Sequence, residues 1–270
     1  MKWTVKFIGL NFNCNFMINS IFISISLIFL MFIMSCTMLP NEDSPELVVF
    51  SAISFSDVIL STQEPFQSKE NVKLSFSFSG SQVLASQISN GAPADLFLSS
   101  GIAPVNYLLD KNLLFEDRIV DIASNKLVVA IPAGQPEVNI DDIQYLLNYN
   151  RIAIADPEYA PAGMYTKQAL ENLGLEESLE PKILTVTNVR AALNYLETKN
   201  VDAAILYETD AKSSNKVISL DLIPESSYDS INYPITIINS TNKLDLADKY
   251  IEYLLSSDFR DILISYGFNE

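Results

Sequence analysis

The chain has 270 residues, 17 basic and 33 acidic side chains, a formal net charge of −16, two cysteines and no histidine. Hydrophobic residues at 49% and charged ones at 19% describe a folded chain, and so acidic a surface repels nucleic acid and anionic membranes alike. The absence of histidine excludes a Ser-His-Asp triad, a Cys-His dyad and histidine-type zinc or haem sites, and no two of the eight glycines are spaced as a dinucleotide or Walker loop.

Residues 1–20 carry Lys2 and Lys6 and no acid, and residues 21–34 form an uncharged apolar run. That run suits the h-region of a secretory signal better than a membrane span of about 20 residues. It ends in Ile33-Met34-Ser35-Cys36, with an aliphatic residue at −3 and a small one at −1, which resembles a bacterial lipobox. The resemblance implies a signal peptide over 1–35, lipid on Cys36, and a polar, Pro-containing tether through 45. An uncleaved anchor helix with an incidental cysteine is the alternative. Both place the body outside the cytoplasm, tethered to a membrane. In the lipobox reading Cys14 is removed and Cys36 is blocked, so no thiol remains for a disulfide, a metal or a nucleophile.

From Glu46 short apolar runs alternate with helical patterns. Residues 47–50 read as a buried strand and 54–66 as a helix; 72–78 alternate with period two, and a helix follows over 81–89. Residues 94–98 read as a strand, 104–114 as a helix and 126–131 as a strand ending at Pro132-Ala133-Gly134. A second series gives strand 151–155, helix 162–173, strand 182–186, helix 188–199 and strand 203–206. Strand 234–238, a helix over 244–256 and a short helix after Asp258 close the chain. Such alternation implies a parallel or mixed sheet covered by helices, which binds ligands where strand carboxyl ends meet helix N-termini.

Four βα junctions put small or polar residues at a helix N-terminus: Ser54-Phe55-Ser56, Ser79-Gly80-Ser81, Pro161-Ala162-Gly163 and Thr187-Asn188-Val189. First-turn N–H groups are unpaired and carry the positive end of the helix dipole, so each junction can meet an anion. Ser and Thr there are more often plain N-caps, and only convergence of several junctions makes a site. Ser213-Ser214-Asn215-Lys216 and Ser240-Thr241-Asn242-Lys243 match S-x-x-K but lack the K-T-G and S-D-N partners. The acidic pairs Asp141-Asp142, Glu176-Glu177 and Asp156-Pro157-Glu158 read as solvated surface, with no EF-hand pattern.

Several stretches fall in a shared order with one known family. They are Val49-Phe50-Ser51-Ala52-Ile53-Ser54, Phe78-Ser79-Gly80-Ser81, Gly91-Ala92-Pro93-Ala94-Asp95-Leu96-Phe97, residues 155–174 (ADPEYAPAGMYTKQALENLG), Asn188-Val189-Arg190-Ala191-Ala192-Leu193, Tyr207-Glu208-Thr209-Asp210-Ala211 and Tyr266-Gly267-Phe268. Together they cover the body, and the chain resembles the molybdate-binding proteins of bacterial ABC importers. The resemblance implies an α/β, two-lobed type II periplasmic binding-protein fold, each lobe a mixed sheet flanked by helices, with the ligand in the interlobe cleft. The expected lobes are 46–124 plus 232–270, and 125–231.

Carried over residue by residue, the oxyanion contacts fall on Ser54 and Ser81 from the first lobe and on Ala162, Val189 and Tyr207 from the second. Ala162 and Val189 would act through backbone N–H, the serines through hydroxyl and N–H, and Tyr207 through its phenol. Ile53 stands where a small residue is common, and Gln82 follows Ser81. The expected function is capture of molybdate or tungstate and delivery to an ABC permease and its ATPase subunit, by a monomeric, lipid-anchored extracytoplasmic protein. No cofactor, no catalysis, no nucleic acid, and no metal beyond the bound oxyanion are expected. The same fold holding sulfate, thiosulfate or another small oxyanion is the nearest rival; a cell-surface hydrolase and an adhesin without ligand stand further off.

Overall fold

The computed structural model describes residues 44–134 and 142–269. The expected signal peptide, Cys36 and the tether before Ser44 lie outside the described residues. Among those described, ten strands form two five-stranded sheets, each mixed and flanked by helices.

The first sheet starts with β1 (Glu46–Ala52), which pairs in parallel with β2 (Lys73–Ser79) and β3 (Leu96–Leu98). Strand β10 (Ile231–Ile237) returns antiparallel beside β3, and β4 (Val120–Asn125) closes the edge, in the order β2-β1-β3-β10-β4. Alternation of side chains across β1 sends Phe50 to one face, where it packs with Leu84, Ala85 and Ile88 of α3 (Ser81–Ser89) and Val105 and Leu108 of α4 (Ala103–Asp110). Leu47 and Val49 face Val58 and Ile59 of α1 (Ser56–Leu60), Phe66 of α2 (Gln63–Glu70) and Tyr250 of α9 (Leu244–Leu254). Each such buried side chain contributes ~1.5–3 kcal/mol.

The segment expected as one helix over 54–66 is broken. A 3-10 turn (Ile53–Phe55) leads into α1, and α2 begins afresh at Gln63. Pro65 has no N–H to continue the ladder and is tolerated only in a first turn, so the helix restarts just before it. The Ser61 and Thr62 hydroxyls donate to the carbonyls of Val58 and Ile59, at 2.5 and 2.6 Å, and so finish α1.

The second sheet has the order β7-β6-β8-β5-β9. Strands β6 (Ile152–Ala155), β7 (Ile183–Val186) and β8 (Ala203–Tyr207) are parallel, while β5 (Leu127–Pro132) runs antiparallel to both β8 and β9 (Val217–Leu220). Helices α5 (Pro161–Asn172), α6 (Glu176–Leu179), α7 (Val189–Glu197) and α8 (Glu208–Lys212) follow β6, β7 and β8 in the chain. Helix α10 (Ser257–Ser265) packs on α9, and Phe268 after it lies beside Phe55, ring centroids 4.9 Å apart. Strands β4 and β9 were not expected; VDIASN and VISL carry no period that marks them, and pairing to a neighbour makes them strands.

The chain passes from β4 to β5 through Asn125-Lys126-Leu127 and returns along 221–230. The two crossings are joined where the Leu127 N–H donates to the Tyr228 hydroxyl at 3.0 Å.

Candidate functional site

Parallel pairing puts the carboxyl ends of neighbouring strands side by side. Ala52 pairs with Ser79, so Ser54 and Ser81, each two residues further on, leave the same sheet edge. Ser51 pairs with Leu98, which brings Ser100 to that edge as well. In the second sheet Ala155 pairs with Val186, and β8 ends at Tyr207 beside β6. Ala162 is the second residue of α5 and Val189 the first of α7. The five expected residues thus lie at strand carboxyl ends or helix N-termini, and all are at most 3% exposed.

The two edges meet. Ser81 Oγ accepts the Ser100 N–H at 3.1 Å and lies 3.4 Å from Ser100 Oγ. From the other lobe Tyr207 donates its hydroxyl to the Ser100 carbonyl at 3.3 Å. Ser100 therefore joins the two lobes, and it was not among the expected residues. A Cβ on Gly80 would run into the carbonyl oxygen of Tyr159, so only glycine permits this approach of α3 to the loop before α5. A Cβ on Gly163 would strike the Ala155 carbonyl, which is why α5 can seat its first turn directly on β6.

Ser54 is reached by a second chain of bonds. The Lys126 N–H donates to Asn125 Oδ1 at 2.9 Å, which orients the amide. Asn125 Nδ2 then donates to Thr209 Oγ1 at 2.8 Å and to the Tyr233 hydroxyl at 3.2 Å. Tyr233 lies 3.0 Å from Ser54 Oγ. Either hydroxyl can donate in this pair, because the phenol oxygen that accepts from Asn125 keeps a second lone pair. Ser81 is thus held as an acceptor by a backbone N–H, and Ser54 is tied to Tyr233. Tyr233 packs against Phe55, Phe268 and Tyr207, with centroids 5.1, 5.3 and 6.3 Å apart.

Ala162 and Val189 are brought to the same edge by strand register. The Asn188 side chain caps α7 by accepting the Ala191 N–H at 3.0 Å, leaving the N–H groups of the first turn without an intrahelical acceptor. Pro161 at the first position of α5 is suited to a turn whose N–H groups go unused by the helix. Burial pushes the Tyr207 phenol well above its ordinary pKa and raises Tyr233 too, so both are neutral at any working pH. Strand ends and helix starts of the two sheets thus carry buried hydroxyls and first-turn amides, and no Lys or Arg stands at the five positions.

A model of the bacterial extracellular solute-binding proteins matches residues 47–269. The chain belongs to this family. Among extracellular solute-binding proteins it is 33% identical to the molybdate-binding protein ModA of Escherichia coli (strain K12), over 84% of this chain and 90% of that one. It is 30% identical to the putative ABC transporter substrate-binding lipoprotein YvgL of Bacillus subtilis (strain 168), over 84% and 88%. Among solved structures it matches the substrate-binding domain of a putative molybdenum ABC transporter from Clostridium difficile, with a TM-score of 0.67 and 29% identity, over 84% of this chain and 99% of that chain. The two-lobed α/β fold expected for a periplasmic binding protein is the fold observed.

Proposed function

We propose that this chain captures molybdate or tungstate outside the cytoplasm, closes its lobes over the ion and delivers it to an ABC permease driven by a cytoplasmic ATPase. The ligand is taken up and released unchanged, with no cofactor, by a monomer held to the membrane through lipid on Cys36. The proposed lobes are 46–124 plus 232–270, and 125–231, and the proposed contacts are Ser54, Ser81, Ala162, Val189 and Tyr207. Sequence kinship with ModA and the putative molybdenum transporter domain supports molybdate as the ligand.

The observation that carries the chemistry is the state of Ser81. Its hydroxyl oxygen already accepts the Ser100 N–H, which leaves its own proton to offer to a ligand. A fully ionised tetrahedral dianion needs only donors, each charge-assisted bond contributing ~1.5–3 kcal/mol. Singly protonated phosphate needs an acceptor and is penalised; sulfate is smaller and leaves the donors further from its oxygens. Helix N-termini supply the remaining counter-charge, which reconciles a net charge of −16 with an anionic ligand.

Calorimetric titration of the full chain with molybdate, tungstate, sulfate and phosphate tests the reading. Tight binding of the first two alone is expected, and Ser81→Ala should weaken it by about 1–3 kcal/mol. Tight sulfate binding would favour the rival ligand, and unchanged affinity in Ser81→Ala would remove Ser81 from the site.

A further inference from the structure

Arg190 follows Val189 in the first turn of α7, and all three of its guanidinium nitrogens are engaged. Nε lies 2.5 Å from Asp210 Oδ1, one terminal nitrogen lies 2.8 Å from Asp57 Oδ2, and the other donates to Ser213 Oγ at 3.3 Å. Asp210 is three residues after Tyr207 and fully buried; Asp57 is three residues after Ser54 and 46% exposed at its side chain. One guanidinium thus ties together the segments that carry Ser54, Val189 and Tyr207. Two of its bonds stay within the second lobe. The third, to Asp57, crosses to α1 of the first.

We infer that Arg190 is a positioning residue of the oxyanion site, and that its bond to Asp57 is a latch made on closure that slows ligand release. The inference rests on reading the cleft as an oxyanion site. The geometry supports a latch over a permanent strut. Asp210 and Ser213 hold the guanidinium in place from its own lobe, whether or not Asp57 is near. Asp57 has no other ion pair among the described residues. A cavity of about 470 Å³, lined by Asp57, Arg190, Lys212, Ser213 and residues 264–268, opens beside the pair. Water and salt therefore reach this bond, while the Arg190–Asp210 contact behind it is sealed. A preoriented cation meeting a half-exposed carboxylate adds little to folding, since an exposed pair contributes little. It acts instead on the balance between open and closed lobes, where a small preference changes the release rate directly.

The test is stopped-flow kinetics of molybdate binding and release by the full chain, comparing the native protein with Asp57→Asn at pH 8. Thermal melting of the ligand-free proteins runs in parallel. Release about five-fold faster in Asp57→Asn is expected, with association and the ligand-free melting temperature unchanged. Raising ionic strength should speed release from the native protein and leave Asp57→Asn nearly unaffected. Equal release rates overturn the latch. So does a fall in ligand-free melting temperature that accounts for the lost affinity, because the pair would then be a strut in both states. If the native protein takes up no molybdate, the functional reading fails and the latch, which rests on it, falls with it; molybdate uptake with equal release rates overturns the latch alone.

Discussion

Tyr233 shows how one buried hydroxyl can hold another in place. It accepts from Asn125 and shares a hydrogen bond with Ser54, linking that serine to the Asn125 amide. Tyr233→Phe keeps the ring packing with Phe55 and Phe268 but removes that link. Ser54 is then free to turn, and Asn125 loses one acceptor while keeping Thr209. The expected outcome is oxyanion affinity weakened by about 1 kcal/mol, with a fall in folding stability of similar size, read by calorimetry and by denaturant titration. Ser100 works differently: substitution of its side chain removes the long Oγ contact to Ser81 but leaves the backbone N–H bond to Ser81 and the carbonyl bond from Tyr207 in place.

At the scale of elements, the proposed contacts lie where helices begin. Asn188 caps α7 with its side chain, whereas α3 begins at Gly80 with no side-chain cap. Glycine gives up a cap there because the Tyr159 carbonyl occupies the space a side chain would need. Gly80 has φ −62° and ψ 140°, a conformation any residue adopts, so Gly80→Ala strains nothing within α3 itself. The substitution should therefore leave the ligand-free protein folded but unable to bring α3 against the second lobe. Molybdate affinity should fall by ~100-fold or more, since contacts to one lobe alone survive. X-ray scattering should show no compaction on adding molybdate.

Across the whole molecule, a fully buried carboxylate carries a pH signature. Burial pushes Asp210 up to about 7 from an ordinary 3.8, with Arg190 pulling it back down. The Arg190 Nε–H does not line up with the carboxylate, so charge rather than an aligned hydrogen bond holds the pair. Because the folded pKa lies above the unfolded one, the folded state keeps a proton that the unfolded chain has released between pH ~4 and ~7. This group therefore makes folding progressively less favourable as pH rises through that window, and its effect is constant above it. Thermal unfolding of the native protein and Asp210→Asn from pH 4.5 to 8 checks the sign. The native protein should lose stability relative to the variant as pH rises toward 7, and the difference should then level off. A difference that stays flat from pH 4.5 to 8 would mean that Arg190 dominates and holds the carboxyl at or below its ordinary value.

The amino-acid sequence by itself determined the βα alternation, because apolar runs of strand length and helical periods are local signals. It also placed Ser54, Ser81, Ala162 and Val189 at helix starts, since small and polar residues after a strand mark such junctions within a few positions. The break at Ser61–Thr62 was local too, and Pro65 carried it in plain view. Only the tertiary structure decided that β5 and β10 run antiparallel to their neighbours and that β4 and β9 are strands at all. It alone brought Ser100 to Tyr207, Tyr233 to Ser54, and Arg190 to Asp57. These partners are far apart in the chain, and each is a common polar residue whose role depends on which donor or charge stands opposite. Burial makes that pairing obligatory, and burial is settled only when the two sheets have closed on one another.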